Sequence, residues 1–186
     1  MESGRPKRSR YLIVSIALII LIIAVIAEEQ SGILAEGNLA PDFIGNLGSG
    51  QSMQLSSYLG NKNVVLFFYP KDYTAGCTMQ VCAFRDSYAD VTSLEAVIFG
   101  VSRDTESSHA GFVEEHNLPF PLISDPDRRI HDRYGVMRLG GLIPGAKRVT
   151  YVIDKTGVIR RAIHHEFSIG NHVRDVVAVL KEIQEK

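Results

Sequence analysis

Residues Asn63 to Tyr69 read NVVLFFY, an apolar run with no polar face. A strand of this kind is covered on both sides, so it belongs inside a sheet with structure packed above and below it. The period then changes. Cys77, Val81, Phe84 and Tyr88 fall at i, i+4, i+7 and i+11, which predicts a helix with one apolar stripe. Cys77 therefore lies in the opening turn of a helix that begins at the end of a buried strand. The free N–H groups and positive dipole end of a helix N-terminus stabilise a thiolate, the reactive form of the thiol. Cys77 and Cys82 are the only cysteines in the chain.

The same reading extends along the chain. Phe43-Ile44 and Met53 to Leu55 predict short strands around a glycine-rich turn, and Ala96 to Ser102 a second buried strand. Thr105 to His116 is expected to be a helix with Thr105 as N-cap. Leu122-Ile123 precedes a short helix leading to Tyr134, and Arg148 to Asp154 and Gly157 to Ile163 form strands around a Lys155-Thr156 turn. Val173, Val176, Val177, Leu180 and Ile183 place a closing amphipathic helix. The order predicts an α/β fold, a mixed central sheet flanked by helices in a three-layer sandwich.

The N-terminus carries a different signal. Tyr11 to Ala27 is 17 residues with nothing more polar than Ser15 and Tyr11, and Arg5, Lys7, Arg8 and Arg10 precede it. As a helix it would reach roughly 25 Å, at the short end for a bilayer core of about 30 Å. The expected organisation is a basic cytoplasmic tail (1–10), one transmembrane anchor (11–27), a linker (28–37) and a folded domain (38–186) on the exported side. A cleaved signal peptide is the alternative, since Val25-Ile26-Ala27 offers small residues before Glu28. The rest of the chain holds 16 basic against 20 acidic residues, which excludes a basic nucleic-acid surface.

The run Ala40-Pro41-Asp42-Phe43, then Phe67 to Asp72 with Thr74, Gly76-Cys77-Thr78 and Phe84-Arg85-Asp86, resembles a peroxiredoxin of the Q-type, or bacterioferritin comigratory protein, subgroup. The likeness continues through Gly100-Val101-Ser102, Phe120-Pro121-Leu122, Tyr134-Gly135-Val136 and Arg148 to Asp154, covering nearly everything from Asn38 onward. It implies a thioredoxin-like fold and a thiol peroxidase that reduces hydrogen peroxide or organic hydroperoxides, without a cofactor. A thioredoxin-like electron donor and a monomeric state are implied as well.

Cys77, Cys82, Thr74 and Arg148 are expected to carry the chemistry. Cys77 is the peroxidatic nucleophile, whose thiolate becomes a sulfenic acid; otherwise it is a small buried hydrophobe. Thr74, three residues earlier, is expected to offer its hydroxyl to the peroxide or to cap the helix. Pro70, without an N–H, shapes the loop and shields the thiolate. Arg148 matches the position of the family's catalytic arginine, and its fixed fork of donors suits a thiolate and a peroxide oxygen together. Arg85 is its rival, and Lys147 is expected to point away because strand side chains alternate.

Cys82 is the candidate resolving cysteine. Positions i and i+5 on a helix lie roughly 8–9 Å apart and about 140° apart around the axis. A disulfide needs Cα atoms within about 7 Å, so the first turn must unwind before Cys77 and Cys82 can join. Gln80 stands where the resembled sequences usually carry glutamate. The six histidines lack metal-ligand spacing, with His164 and His165 adjacent in a strand. Two other classes use the same cysteines: a disulfide oxidoreductase, whose motif would be Cys-x-x-Cys, and an anchored module with a structural disulfide.

Overall fold

The structure is a computed structural model describing residues 15–16, 18–19, 32–47, 51–142, 145–165 and 169–185. Seven strands form one sheet: β1 (Ile44–Leu47), β2 (Ser52–Gln54), β3 (Asn63–Phe68), β4 (Ala96–Ser102), β5 (Leu122–Ser124), β6 (Val149–Ile153) and β7 (Ile159–His164). Among the described residues from Ile44 onward five α-helices accompany them: α1 (Ala75–Asp86), α2 (Tyr88–Ser93), α3 (Glu106–His116), α4 (Arg129–Arg133) and α5 (Ile169–Gln184). The strand order is β2-β1-β5-β4-β3-β6-β7. The pairs β3–β4 and β4–β5 are parallel and the other four antiparallel, so the sheet is mixed as expected.

Strand β3 lies inside the sheet, between β4 and β6, and all six of its residues are buried. Its side chains divide by parity. Val65, Phe67 and Tyr69 join one core cluster, whereas Val64, Leu66 and Phe68 join the other. The first cluster packs α1, α2, α3 and α5 against the sheet through Cys77, Val81, Phe84, Val91, Phe112, Val176 and Leu180. The second is covered by Ile130 of α4, by Tyr134, and by chain that includes Ile33, Leu34, Phe43 and Leu55. Helices thus flank the sheet, but most of them lie on the side that holds the cysteines.

Helix α1 is set on the sheet by aromatic packing. The rings of Phe67 and Phe84 stack at 4.6 Å, and Phe120 meets Phe67 edge-on at 5.9 Å. Gly100 of β4 makes room for this. A Cβ there would lie 2.6 Å from both Phe67 Cζ and Leu122 Cδ2.

Several expected boundaries move. The helix from Cys77 does not run on to Tyr88. It ends at Ser87, where ψ rises to 12° and the N–H turns back to the Ala83 and Arg85 carbonyls, and Tyr88 opens α2. The second strand is Ser52–Gln54 rather than Met53 to Leu55, because Leu55 enters a short 3-10 turn. Arg148 precedes β6, and His165 lies beyond β7. Thr105 caps α3 as expected, its hydroxyl accepting from the Ser108 N–H.

Of the apolar run Tyr11 to Ala27, only Ser15, Ile16, Leu18 and Ile19 fall among the described residues, so the expected anchor lies outside them. Among the described residues no helix is long and apolar enough to cross a membrane.

Candidate active site

Cys77 is the third residue of α1 and is completely buried beneath the loop that leaves β3. Both cysteines are free thiols, and Cys82 is half-buried. The parity of β6 explains what faces the sulfur. Val149 and Tyr151 pack into the cluster away from α1, so Arg148, Thr150 and Val152 share the α1 and α5 side. Arg148 Nη2 lies 3.6 Å from Cys77 Sγ. Its Nη1 donates to Gln80 Oε1. The guanidinium fork is shared between a sulfur and a neutral amide on the same helix, one turn apart. The guanidinium's positive charge beside the sulfur favours the anionic form of the thiol, in the same direction as the dipole of α1.

Gln80 is fully buried, and its Nε2 has no hydrogen-bond partner among the described residues. Lys147 is itself buried at 1% exposure. Arg85, the rival arginine, pairs with Asp86 at 2.8 Å and donates to the His116 carbonyl at 2.9 Å, ties that join α1 to the end of α3.

Thr74 occupies the N-cap position of α1, but its side chain does not cap. The hydroxyl instead donates backward to the Lys71 carbonyl at 3.0 Å. Its proton is committed to the loop, which leaves the lone pairs of the hydroxyl oxygen open to a donor. Thr74 is exposed, three residues before the buried Cys77.

Three features escaped the sequence reading. Gln80 was noted only as a departure, not as the arginine's partner. His172 completes the far side of the site: its Nδ1 accepts from Thr150 Oγ1 at 3.1 Å and its Nε2 donates to the His165 carbonyl at 2.9 Å. Burial pushes its pKa down to about 4, and the positive charges of His165 and Arg148 act in the same direction against the His165 carbonyl bond. The ring is therefore neutral and puts no second cation beside Arg148. Periodicity contained the signal, since His172 lies four residues before Val176 on the buried stripe of α5. The third feature is a polar cluster around Asp72. Burial works to raise this carboxyl's pKa, but bonds from His109, Ser108 and Tyr69 outweigh it and leave it below the usual value.

His172 gives a pH prediction. Between about pH 6.5 and 4 the unfolded chain binds a proton that the folded ring refuses. Stability is thus complete above pH 6.5 and falls as the pH drops, by about 3 kcal/mol once pH 4 is passed. Denaturant melts across that range should show the loss, and His172→Gln should flatten it. An equal slope in both chains would refute the assignment.

Among the described residues no three His, Cys, Asp or Glu side chains are grouped to hold a metal ion.

Comparison with known proteins follows the same lines. The AhpC/TSA family pattern matches residues 37–162. The chain is 39% identical over 154 residues to peroxiredoxin Bcp of Bacillus subtilis, spanning 81% of this chain and 97% of that protein. It is 37% identical to the chloroplastic peroxiredoxin Q of Triticum aestivum, covering 82% and 69% of the two chains. Among solved structures, peroxidoxin BcpB from Mycobacterium tuberculosis superposes with a TM-score of 0.75 at 36% identity, over 81% of this chain and 98% of that one. Peroxiredoxin Q of Xanthomonas campestris gives 0.69 at 29% identity, over 75% and 90%.

Proposed function

The chain belongs to the AhpC/TSA family and is a thiol peroxidase of its Bcp and Q branch, with a thioredoxin-like fold, and from that premise we propose how its residues divide the work. Cys77 is the nucleophile. Its thiolate attacks one oxygen of hydrogen peroxide or an organic hydroperoxide, and the O–O bond breaks. The leaving oxygen takes a proton and departs as water or alcohol, while Cys77 becomes a sulfenic acid. Arg148 holds the thiolate and the peroxide oxygen through its fork, and Thr74 accepts from the peroxide O–H. The observation that carries this reading is Arg148 Nη2 within 3.6 Å of a buried free thiol at a helix N-terminus.

Cys82 resolves the intermediate. Its sulfur attacks the sulfenic sulfur, water leaves, and an intramolecular Cys77–Cys82 disulfide forms. Because the two residues are five apart on α1, the first turn unwinds before the bond closes. A thioredoxin-like dithiol then reduces the disulfide and is itself oxidised. With reduced full-length protein, peroxide and such a donor, the expected result is continuous peroxide consumption. Failure to turn over with any dithiol donor would refute the cycle. The Cys-x-x-x-x-Cys spacing speaks against a disulfide oxidoreductase.

Residues 11–27 are proposed to anchor this enzyme as a single-pass monomer, with the domain from residue 38 on the exported side. What supports this is the length of the apolar run and the basic residues before it. The protein should then sediment with membranes and resist carbonate extraction. A soluble mature chain beginning near Glu28 would overturn the anchor.

A further inference from the structure

The catalytic reading leaves a buried polar cluster unused, and it lies directly beneath the loop between β3 and α1. Asp72, in the middle of that loop, is 3% exposed. Its Oδ1 accepts from Tyr69 Oη at 2.7 Å, and its Oδ2 accepts from Ser108 Oγ at 2.7 Å and from His109 Nδ1 at 2.9 Å. Its own N–H donates to Asp104 Oδ2 at 2.9 Å, and that oxygen also accepts from Ser102 Oγ at 2.6 Å. His109, fully buried, reaches onward from its Nε2 to the Ile123 carbonyl at 3.2 Å. Through its carboxylate Asp72 thus joins the end of β3, the first turns of α3 and, by way of the imidazole, β5, and through its N–H the turn after β4.

The next residues behave differently. Tyr73 is left-handed at φ 59°, a region that side chains other than glycine occupy at a cost in strain. Its ring is half-exposed and lies against Phe112. Thr74 is tied to the loop by its bond to Lys71, whereas α1 begins immediately after it. A clamped residue, a strained one and the helix that has to unwind therefore follow each other within a few positions.

We infer that Asp72 and His109 are positioning residues for the peroxide step. They clamp the loop 70–74 to α3, fix Thr74 and the first turn of α1 above Arg148, and remain closed when α1 unwinds, with Tyr73 as the hinge. This inference rests on the roles given to Cys77 and Cys82. A misplacement of about 1 Å at a reacting group costs on the order of a hundredfold in rate, so a loosened loop is felt at the first chemical step. Disulfide formation, which begins with opening beyond the hinge, does not need the clamp to place Thr74.

Reduced full-length protein is mixed rapidly with hydrogen peroxide, and two rates are read by thiol trapping and mass spectrometry: loss of the Cys77 thiol and formation of the disulfide. His109→Gln should slow the first by about tenfold or more and leave the second unchanged. Ser108→Ala, which removes one of three bonds to the carboxylate, should give a smaller loss of the same kind. The pair Asp72→Asn and His109→Gln together should cost no more than the worse single change, because both act through one clamp. Hydrogen exchange on the disulfide form should find residues 69–74 protected as in the reduced protein, and residues 75–82 deprotected. Wild-type peroxide rates in His109→Gln, or equal loss of protection in 69–74 and 75–82, would overturn the inference. A wild-type chain that loses its Cys77 thiol to peroxide but forms no disulfide would instead refute the role of Cys82, with the peroxide rates still deciding on the clamp.

Discussion

The Cys77→Ser chain is expected to reduce peroxide no faster than the uncatalysed reaction. A serine hydroxyl is not ionised at neutral pH, so it cannot supply the electron pair that attacks the O–O bond. The buried site at the N-terminus of α1 remains built around it, but the helix dipole and Arg148 then act on a neutral oxygen. Cys82→Ser is expected to differ in kind. It should consume one equivalent of peroxide at the wild-type rate and then stall as a sulfenic acid, or move further up the oxidation ladder as more peroxide arrives. Stopped-flow measurement of the first turnover separates the two. Equal loss of that turnover in both variants would remove the division of labour between the cysteines.

Arg148→Lys should slow the peroxide step by about a hundredfold or more, on the scale of losing one preorganised donor to developing negative charge. The site explains why the charge alone is insufficient. Arg148 uses one nitrogen on Gln80 and another on Cys77, a planar fork held on two sides. An ammonium is a compact point charge that cannot span sulfur, amide and peroxide together. The thiolate absorbance should therefore change little while the second-order rate collapses. An unchanged rate would return the role to another arginine. Arg85 is poorly placed to take it, since Asp86 and the His116 carbonyl already hold its guanidinium.

Much of this was legible in the chain because the signals are local. A run without a polar face, Val64 to Phe68, can only be a strand covered on both sides, and it is an interior strand of the sheet, buried throughout. The period of Cys77, Val81 and Phe84 located α1, and Thr105 marked the start of α3 to the residue. What escaped depends on atoms distant in sequence. Asp72 and His109 are 37 residues apart, and only the parallel pairing of β3, β4 and β5 brings the loops after those strands together. The break at Ser87 was hidden because Tyr88 still packs against the same core cluster, which kept the apolar period running through a kink. The direction of the Thr74 hydroxyl was open for a related reason. An N-cap threonine can bond forward to the helix or back to its loop, and the carbonyl of Lys71 decides.

The partnership of Gln80 with Arg148 also needed three dimensions, since 68 residues separate them. It gives the substitution a physical sense. A glutamate at this position would add a negative charge beside the sulfur, whereas the amide orients the fork without adding one.

The central claim is that Cys77 and Cys82 form one intramolecular couple driven by peroxide. It is tested most directly by the intact mass of the reduced full-length protein after one equivalent of hydrogen peroxide, with and without Cys82. The wild-type chain should lose two hydrogens and yield a single linked peptide joining Cys77 to Cys82, and Cys82→Ser should gain one oxygen on Cys77. A wild-type chain that gains oxygen on Cys77 without losing the Cys82 thiol, or that is oxidised first at Cys82, would contradict the account.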